Sequence, residues 1–393
     1  MEPLASRSRP LSGRGRTHAH PRAHARPRAR ARALALVAAA ALALTACSAG
    51  SAAQAPHAQT PQSGDRSGAA ERVTTLRLGF FPNLTHAPAL VGLQDGLFKS
   101  ALKDLGITVT PTAFNAGPDA VSALFGDSLD IAYIGPNPTI NAYAESAGSA
   151  VRVIAGAASG GAALVVEPEI TTPAQLKGAK LATPQLGNTQ DVALRYWLGQ
   201  QGMTADAEGG GDVSILPQAN AEGLTAYSSG QIDGAWVPQP WVAEYLKAGA
   251  KVLIDEKDLW PDGKFVTTNV LVRAEFLEQH PDVVEAFLNG HVAALREIAQ
   301  HPEAAALAAN ASLESLTGSE LSADVLDQAF ADVEFTVDPL PAALQASAEH
   351  AIGVGLLDPA KIAGAGGLPG SLYDLTLLNK VLAAAGEDPV AAP

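Results

Sequence analysis

Cys47 is the one cysteine among 393 residues, and its surroundings indicate that its thiol is acylated. The run Leu44–Cys47 has an aliphatic residue three positions before the cysteine and small residues between, the pattern that lipoprotein signal peptidase cleaves. Before it lie an apolar stretch, Ala33–Ala46, too short to cross a bilayer, and a segment with nine arginines. We therefore predict a signal peptide over residues 1–46 and a lipid on Cys47. An ordinary signal peptide with an incidental cysteine is the alternative.

Neutral hydrogen-bonding side chains gather in loops that follow predicted strands. In the first loop, Pro82 ends a strand, and Asn83 or Thr85 can cap the helix that follows. His86 is either a hydrogen-bond donor to a ligand or a surface residue at a helix start. In a second loop two prolines fix the backbone around Asn137, which leaves that amide free to face a ligand.

A third loop, residues 183–191, is the most informative. Gly187 permits a tight bend, and Asn188 or Thr189 caps a predicted helix. Backbone N–H groups from Gly187 to Gln190 would point at a small ligand there. An ordinary, well-capped connection from strand to helix is the alternative. Asp191 in the first turn would stabilise the helix but oppose an anion.

A fourth loop, residues 236–241, brings two indoles beside the expected cleft. Aromatic rings suit an apolar tail or a cation, and we favour Trp236 over Trp241, which we expect to pack within its helix. None of the four loops carries Lys or Arg. Neutral donors suit a small monoanion, a zwitterion or a neutral molecule better than a phosphate.

The motifs of common enzymes are missing from the chain. It has no G-x-S-x-G nucleophile elbow, no phosphate-binding G-x-x-x-x-G-K loop and no H-E-x-x-H zinc pair. The histidines after Cys47 are scattered without metal-ligand spacing. We therefore expect no catalytic residue, no metal and no cofactor.

The elements that would position these loops alternate along the chain. Strand-like runs such as Leu76–Phe81 and Lys180–Thr183 are separated by helical patterns such as Ala87–Leu105. This alternation predicts an α/β fold with parallel sheets and helical crossovers. The segment after Phe276 reads as almost wholly helical.

The chain also repeats itself once. Asn115-Ala116 matches Asn220-Ala221, each between a strand and a helix, and residues 130–138 match residues 233–240. Two matches in the same order indicate two similar α/β lobes, although any two α/β units share some likeness. Loops at the carboxyl ends of facing lobes would surround one cleft.

Charge and composition limit the partners. Of 26 basic and 40 acidic residues, the segment before Cys47 holds nine arginines and one acid, so the remainder carries a formal charge of −22. Such a surface repels nucleic acid, so we expect no nucleic-acid partner. Residues 47–72 are rich in small and polar residues and read as a flexible tether to a membrane.

These motifs resemble those of the solute-binding components of ABC importers. The likeness is carried by Phe-Pro-Asn-x-Thr-His, Asp-Ile-Ala-Tyr-Ile-Gly-Pro-Asn-Pro, Thr-Pro-Gln-Leu-Gly-Asn-Thr-Gln-Asp and Trp-Val-Pro-Gln-Pro-Trp. The most similar group is the aliphatic sulfonate, nitrate and taurine receptors with the type II periplasmic-binding-protein fold. A receptor for a thiamine-precursor pyrimidine is the alternative within the family, and an extracellular enzyme or adhesion module is the alternative from another class.

The resemblance implies a fold, partners and a site. It implies two hinged lobes, residues 73–163 plus 272–390 and residues 164–271, with crossings near Ala163–Pro168 and Thr267–Arg273. It implies a monomer on the outer face of the plasma membrane, held by its lipid, that delivers a small polar solute to a permease and its ATPase. With the loops above, the candidate ligand contacts are Asn83, Thr85, His86, Asn115, Asn137, Gly187, Asn188, Thr189, Gln190, Trp236 and Gln239.

Overall fold

The computed structural model describes residues 73–206, 208–391 and 393. The expectations for the signal peptide, for Cys47 and for the tether fall on residues 1–72 and lie outside the described residues. Within the described part of the chain, no helix is long and apolar enough to cross a membrane.

Eleven strands are found in the described residues. They are β1 Thr75–Phe80, β2 Thr108–Ala113, β3 Ile131–Ile134, β4 Val151–Gly160, β5 Ala162–Val166, β6 Lys180–Thr183, β7 Ser214–Pro217, β8 Gly234–Pro238, β9 Lys251–Asp255, β10 Val266–Arg273 and β11 Val333–Phe335.

Fourteen α-helices accompany them in the same part of the chain. They are α1 Ala87–Gln94, α2 Leu97–Leu102, α3 Gly117–Phe125, α4 Pro136–Glu145, α5 Thr189–Gln200, α6 Asn220–Ser228, α7 Trp241–Lys247, α8 Ala274–Gln279, α9 Pro281–Gln300, α10 Pro302–Thr317, α11 Ala323–Ala331, α12 Pro341–Gly353, α13 Pro359–Gly364 and α14 Thr376–Ala384.

The strands form two mixed sheets. The first has the order β11-β4-β10-β3-β1-β2, and β1 lies parallel to both β2 and β3. The second has the order β7-β6-β8-β5-β9, and β6 lies parallel to both β7 and β8. Strands β10 and β5 run antiparallel to their neighbours. Two sheets with intervening helices and a helical region after β10 confirm the predicted α/β class, but the expectation of parallel sheets holds only for β1–β3 and β6–β8, and the other strands pair antiparallel.

Apolar side chains cover both faces of both sheets. On the first sheet, α1, α2, α9, α10 and α14 build one core, and α4, α12 and residues from α3 build the other. On the second sheet, α5 covers one face, and α6 and α7 cover the other. All residues of β3 and β5 are buried, as expected for strands covered on two faces.

The structure corrects several element boundaries. The single helix expected over Ala87–Leu105 is divided at Gly96, which has the positive φ of 68° that glycine tolerates. Strands β5, β9 and β11 were not predicted. Strands β9 and β11 lie at sheet edges, where partly exposed residues give little periodic signal.

The chain changes sheets earlier than we expected. It leaves the first sheet at Gly160 and Gly161, between β4 and β5, and returns between β9 and β10. Both glycines have positive φ, which a sharp change of direction requires. The expected crossing near Ala163–Pro168 is largely β5 itself, which was read as a connection. The expected crossing over Thr267–Arg273 lies within β10, which was predicted as a strand but belongs wholly to the first sheet, so the chain has already returned before it begins.

Candidate functional site

A small polar cavity lies where the two sheets face each other at the carboxyl ends of their parallel strands. The first sheet contributes the loops after β1, β2 and β3 and the start of β10, and the second contributes the loops after β6 and β7 and the end of β8. The lining residues are Phe81, Asn83, Thr85, His86, Asn115, Gly135, Pro184, Asn188, Thr189, Gln190, Asn220, Pro238 and Thr267.

The loop after β1 contributes a neutral histidine. His86 is buried, and burial lowers the pKa of its imidazole to about 3. Its Nδ1 accepts a hydrogen bond from the Phe81 N–H at 3.3 Å, which assigns the ring proton to Nε2. His86 can therefore donate one hydrogen bond from Nε2 without bringing a positive charge.

The loop after β6 contributes the start of α5. Asn188 is the cap residue of this helix and Thr189 its first residue, but neither side chain makes a capping hydrogen bond. The Thr189 hydroxyl is buried and has no hydrogen-bond partner among the described residues. A buried hydroxyl left without a partner costs free energy unless something binds it, so Thr189 Oγ1 points to a ligand.

Asp191 accepts hydrogen bonds from protein groups, and one of its donors is the Gly187 N–H that we expected to bind a ligand. Its Oδ2 accepts hydrogen bonds from the Gly187 N–H and from Arg195 Nε, both at 2.9 Å, and its Oδ1 accepts one from Thr183 Oγ1 at 2.9 Å. The Gly187 N–H is thus occupied and not available to a ligand. Sequence reasoning missed Arg195, although its spacing of four from Asp191 on one helix is the usual signal for an ion pair. The pair offsets the carboxylate charge that would have opposed an anion.

The two asparagines matched by the internal repeat both reach the cavity. Asn115 follows β2 and Asn220 follows β7, which are edge strands of their sheets. The Asn220 Oδ1 atom is buried without a partner in the described structure. Contact of either amide with a ligand stays a prediction.

Trp236 does not line the cavity. It is fully buried in the core between the second sheet and α5, with its ring against Trp197 at 6.0 Å between centroids. Its Nε1 donates to Glu256 Oε2 at 2.7 Å. The expectation of an aromatic wall is wrong for this residue, because a strand residue points to a sheet face and not to the strand end.

Asn137 and Gln239 also lie apart from the cavity lining. Asn137 is buried in the first turn of α4, and its Nδ2 donates to the Ser347 carbonyl oxygen of α12 at 3.1 Å. Gln239 donates from Nε2 to Asp332 Oδ2 at 2.8 Å and accepts from the Ala243 N–H at 3.2 Å. Their side chains connect elements of the fold, which sequence spacing could not show.

Hydrogen bonds and packing contacts join the loops of the two sheets around the cavity. The Leu84 N–H donates to the Gln239 carbonyl oxygen at 3.1 Å, and Trp241 Nε1 donates to Asn83 Oδ1 at 2.8 Å. Gly135, after β3, packs so closely on Thr189 that an added Cβ would overlap its hydroxyl. The structure therefore shows the site with the loops of the first sheet in contact with those of the second.

The polar side chains of the lining are neutral, and its amides offer acceptors as well as donors. No Lys, Arg, Asp or Glu stands among the described residues around the cavity. The first turn of α5 adds N–H groups and the positive end of its dipole. This arrangement can hold a compact anionic, zwitterionic or neutral polar group, and it offers no nucleophile and base in contact.

A family model described as the NMT1-like family matches residues 69–313. The chain belongs to the NMT1-like family. This NMT1-like chain is 30% identical over 219 residues to the taurine-binding periplasmic protein of Escherichia coli (strain K12). The match covers 55% of this chain and 64% of that relative, slightly under two thirds of its length.

Solved structures share the fold of this NMT1-like protein. The alkanesulfonate-binding protein SsuA from Xanthomonas axonopodis pv. citri, bound to MOPS, has a TM-score of 0.60 at 22% identity over 74% of this chain and 96% of that chain. The periplasmic nitrate-binding protein NrtA from Synechocystis PCC 6803 has a TM-score of 0.64 at 17% identity over 79% and 89%. The expected periplasmic-binding-protein fold is thereby confirmed.

Proposed function

We propose that the protein is the solute-binding component of an ABC importer, and that it captures a small polar solute of the sulfonate, nitrate or taurine type. The observation that carries this proposal is the cavity between the two sheets, lined from both sides by neutral hydrogen-bonding side chains that include Thr189 and His86. Relatives and structural neighbours named for taurine, alkanesulfonate and nitrate support it.

The head group of the solute would sit at the start of α5. There it would accept hydrogen bonds from Thr189 Oγ1 and from His86 Nε2, which belong to opposite sides of the cavity. Each such bond to a charged acceptor contributes about 1.5–3 kcal/mol. A ligand that contacts both sides favours the state in which they meet, which is the basis of hinged capture.

The lobes that we propose follow the two sheets, residues 73–160 plus 266–390 and residues 161–265, which moves both boundaries from those expected, and the sheet changes at Gly160–Gly161 and before β10 are the hinges. Cys47 would carry the lipid that holds the protein, as a monomer, on the outer face of the plasma membrane. From there it would deliver the solute to a permease and its ATPase. The absence of a nucleophile and base in contact at the cavity supports binding without turnover.

The test is a melting-temperature screen of the protein from residue 48 onward with taurine, methanesulfonate, nitrate, hydroxymethylpyrimidine and glycine. A ligand at a hundred times its dissociation constant adds about 2.7 kcal/mol to the free energy of unfolding. Calorimetry should then give one site per chain, and the recovered ligand should be chemically unchanged. No stabilisation by any of these solutes, or conversion of one of them, contradicts the proposal.

A further inference from the structure

Four aromatic rings outside the cavity lining form an aromatic cluster. They belong to Tyr196 of α5, His350 of α12, Trp260 and Phe265. The rings of Tyr196 and His350 are stacked, with 3.7 Å between their centroids and 17° between their planes. The Trp260 ring lies 5.2 Å from that of His350 and stacks on Phe265 at 5.7 Å. The imidazole of His350 therefore contacts two other aromatic rings.

The aromatic cluster joins the two proposed lobes. Tyr196 and Trp260 belong to the lobe of the second sheet, and His350 belongs to the lobe of the first. Trp260 lies in the connection between β9 and β10, by which the chain returns to the first sheet. The ring contacts of His350 thus exist only while the two lobes are together, as do ligand contacts made from both sides of the cavity.

The position of Tyr196 on α5 relates the aromatic cluster to the cavity. Tyr196 follows Thr189, the first residue of α5, by seven residues. Since an α-helix has 3.6 residues per turn, the two side chains project from nearly the same face, about 10 Å apart along the helix axis. At one end of this face Thr189 packs against Gly135, and at the other Tyr196 packs against His350. Both of those partners belong to the lobe of the first sheet.

The helix that carries His350 is joined in turn to the loop that carries Gly135. Asn137 lies in the first turn of α4, directly after this loop, and its Nδ2 donates to the Ser347 carbonyl oxygen of α12 at 3.1 Å. The same two lobes therefore meet twice, once at the cavity and once at α12. The approach of α5 to α12 is coupled in this way to the width of the cavity.

His350 makes its contacts as a neutral ring. It is half-buried, and burial lowers the pKa of its imidazole below the ordinary value of 6.5. The neighbouring Glu349 acts in the opposite direction with a smaller effect. At neutral pH the lobes can therefore bring these rings together without removing a charge from water.

We propose that Tyr196 and His350 are positioning residues for solute capture, whose stacked rings hold the two lobes together and so determine how closely Thr189 approaches the opposite side of the cavity. Neither residue is among the described residues of the cavity lining, so they act through α5 and α12 without touching the solute. This inference rests on the proposed function. A contact that forms only when the lobes meet favours that state and thereby increases affinity for the solute.

The test is calorimetry with taurine, methanesulfonate, nitrate, hydroxymethylpyrimidine and glycine as probes. For a probe that binds the unaltered protein, Tyr196→Ala should weaken binding about twofold to tenfold, the range for one aromatic pair. His350→Ala removes the contacts with both Tyr196 and Trp260 and should cause a larger loss. Tyr196→Phe keeps the ring and should bind as the unaltered protein does.

Two further variants separate positioning from a general effect on folding. Adding Tyr196→Ala to His350→Ala should cause no further loss of affinity, because the partner ring is already absent. Tyr227→Ala is the matched control, since Tyr227 pairs with Tyr245 at 5.1 Å within the lobe of the second sheet, and it should leave affinity unchanged. Melting curves show whether each variant is folded. Tyr196→Leu, which keeps apolar volume without a ring, gives the same comparison if the alanine variant is unfolded.

The outcomes are distinguishable. Unchanged affinity in the folded variant without the Tyr196 ring overturns the positioning role and leaves the solute-binding function standing. Additive losses in the double variant, or an equal loss in Tyr196→Phe, have the same meaning. If none of the five solutes binds the unaltered protein, the proposed function is overturned and this inference with it.

Discussion

Gly135→Ala tests whether ligand binding requires the two sides of the cavity to meet. Gly135 has φ −73° and ψ 164°, a backbone conformation that alanine adopts without strain. The added Cβ would overlap Thr189 Oγ1 across the cavity and lie 3.6 Å from the Thr267 carbonyl oxygen. The substitution therefore acts on the contact between the two sides and not on the local fold.

The size of the effect follows from overpacking. Forcing one methyl group into a filled contact costs about 1–3 kcal/mol. If binding needs this contact, affinity falls by about fivefold to more than a hundredfold. The free energy of unfolding should hold or rise by up to about 1 kcal/mol, because the unfolded chain loses freedom and the folded chain can relieve the overlap by opening.

The assay is calorimetry with the ligand from the solute screen, together with melting curves. Gly199→Ala is the matched control, since it lies in α5 and nothing stands within 4 Å of its added Cβ. In the double variant with Thr189→Ala, the remaining Cβ lies at 3.5 Å, an ordinary contact, so part of the loss should be recovered relative to additive effects. Unchanged affinity in Gly135→Ala, or strictly additive losses, would refute closure at this contact.

Three further changes have defined outcomes. Cys47→Ser should shift the protein from the membrane fraction to the medium or leave it as precursor, and a mature-sized membrane-bound variant would contradict lipidation. His86 has a folded-state pKa of about 3 against an ordinary value of 6.5, so it destabilises the fold as pH falls below 6.5, by about 2 kcal/mol at pH 5. In urea unfolding, the His86→Gln variant should therefore lose less free energy of unfolding between pH 7 and pH 5 than the unaltered protein does. Glu256 has a pKa raised to about 7 by burial, so its ionisation weakens the fold as pH rises from 4.5 through 7. Glu256→Gln keeps an acceptor for Trp236 and should stabilise the protein at pH 8 but not at pH 4, and equal effects at both pH values would show that the carboxyl does not titrate there.

Local pattern was enough to predict the fold class and most strands. β6 was predicted with the bounds Lys180–Thr183 that the structure shows, because an apolar run bounded by turn residues has few other readings. The first crossing was placed too late because β5 is an unbroken apolar run, which alone does not reveal which sheet it joins.

The site residues, too, differ in whether local sequence pattern could place them. Loop residues such as Asn83, His86 and Thr189 line the cavity because chain position alone places them at strand ends. Trp236 could not be assigned this way, since the side of the sheet to which it points depends on register with β5 and β6. Its partner Glu256 is 20 residues away and carries no sequence signal.

The pairing of β4 with β10 has a consequence for how the chain assembles. Val266 pairs with Ser159, so this contact closes a loop of roughly a hundred residues that contains the whole second sheet. The first sheet cannot be completed until that inserted segment has been synthesised and its ends brought together. Folding of the second sheet would bring those ends close together and so speed the pairing of β4 with β10. A destabilising substitution confined to the core of the second sheet should therefore slow completion of the first sheet.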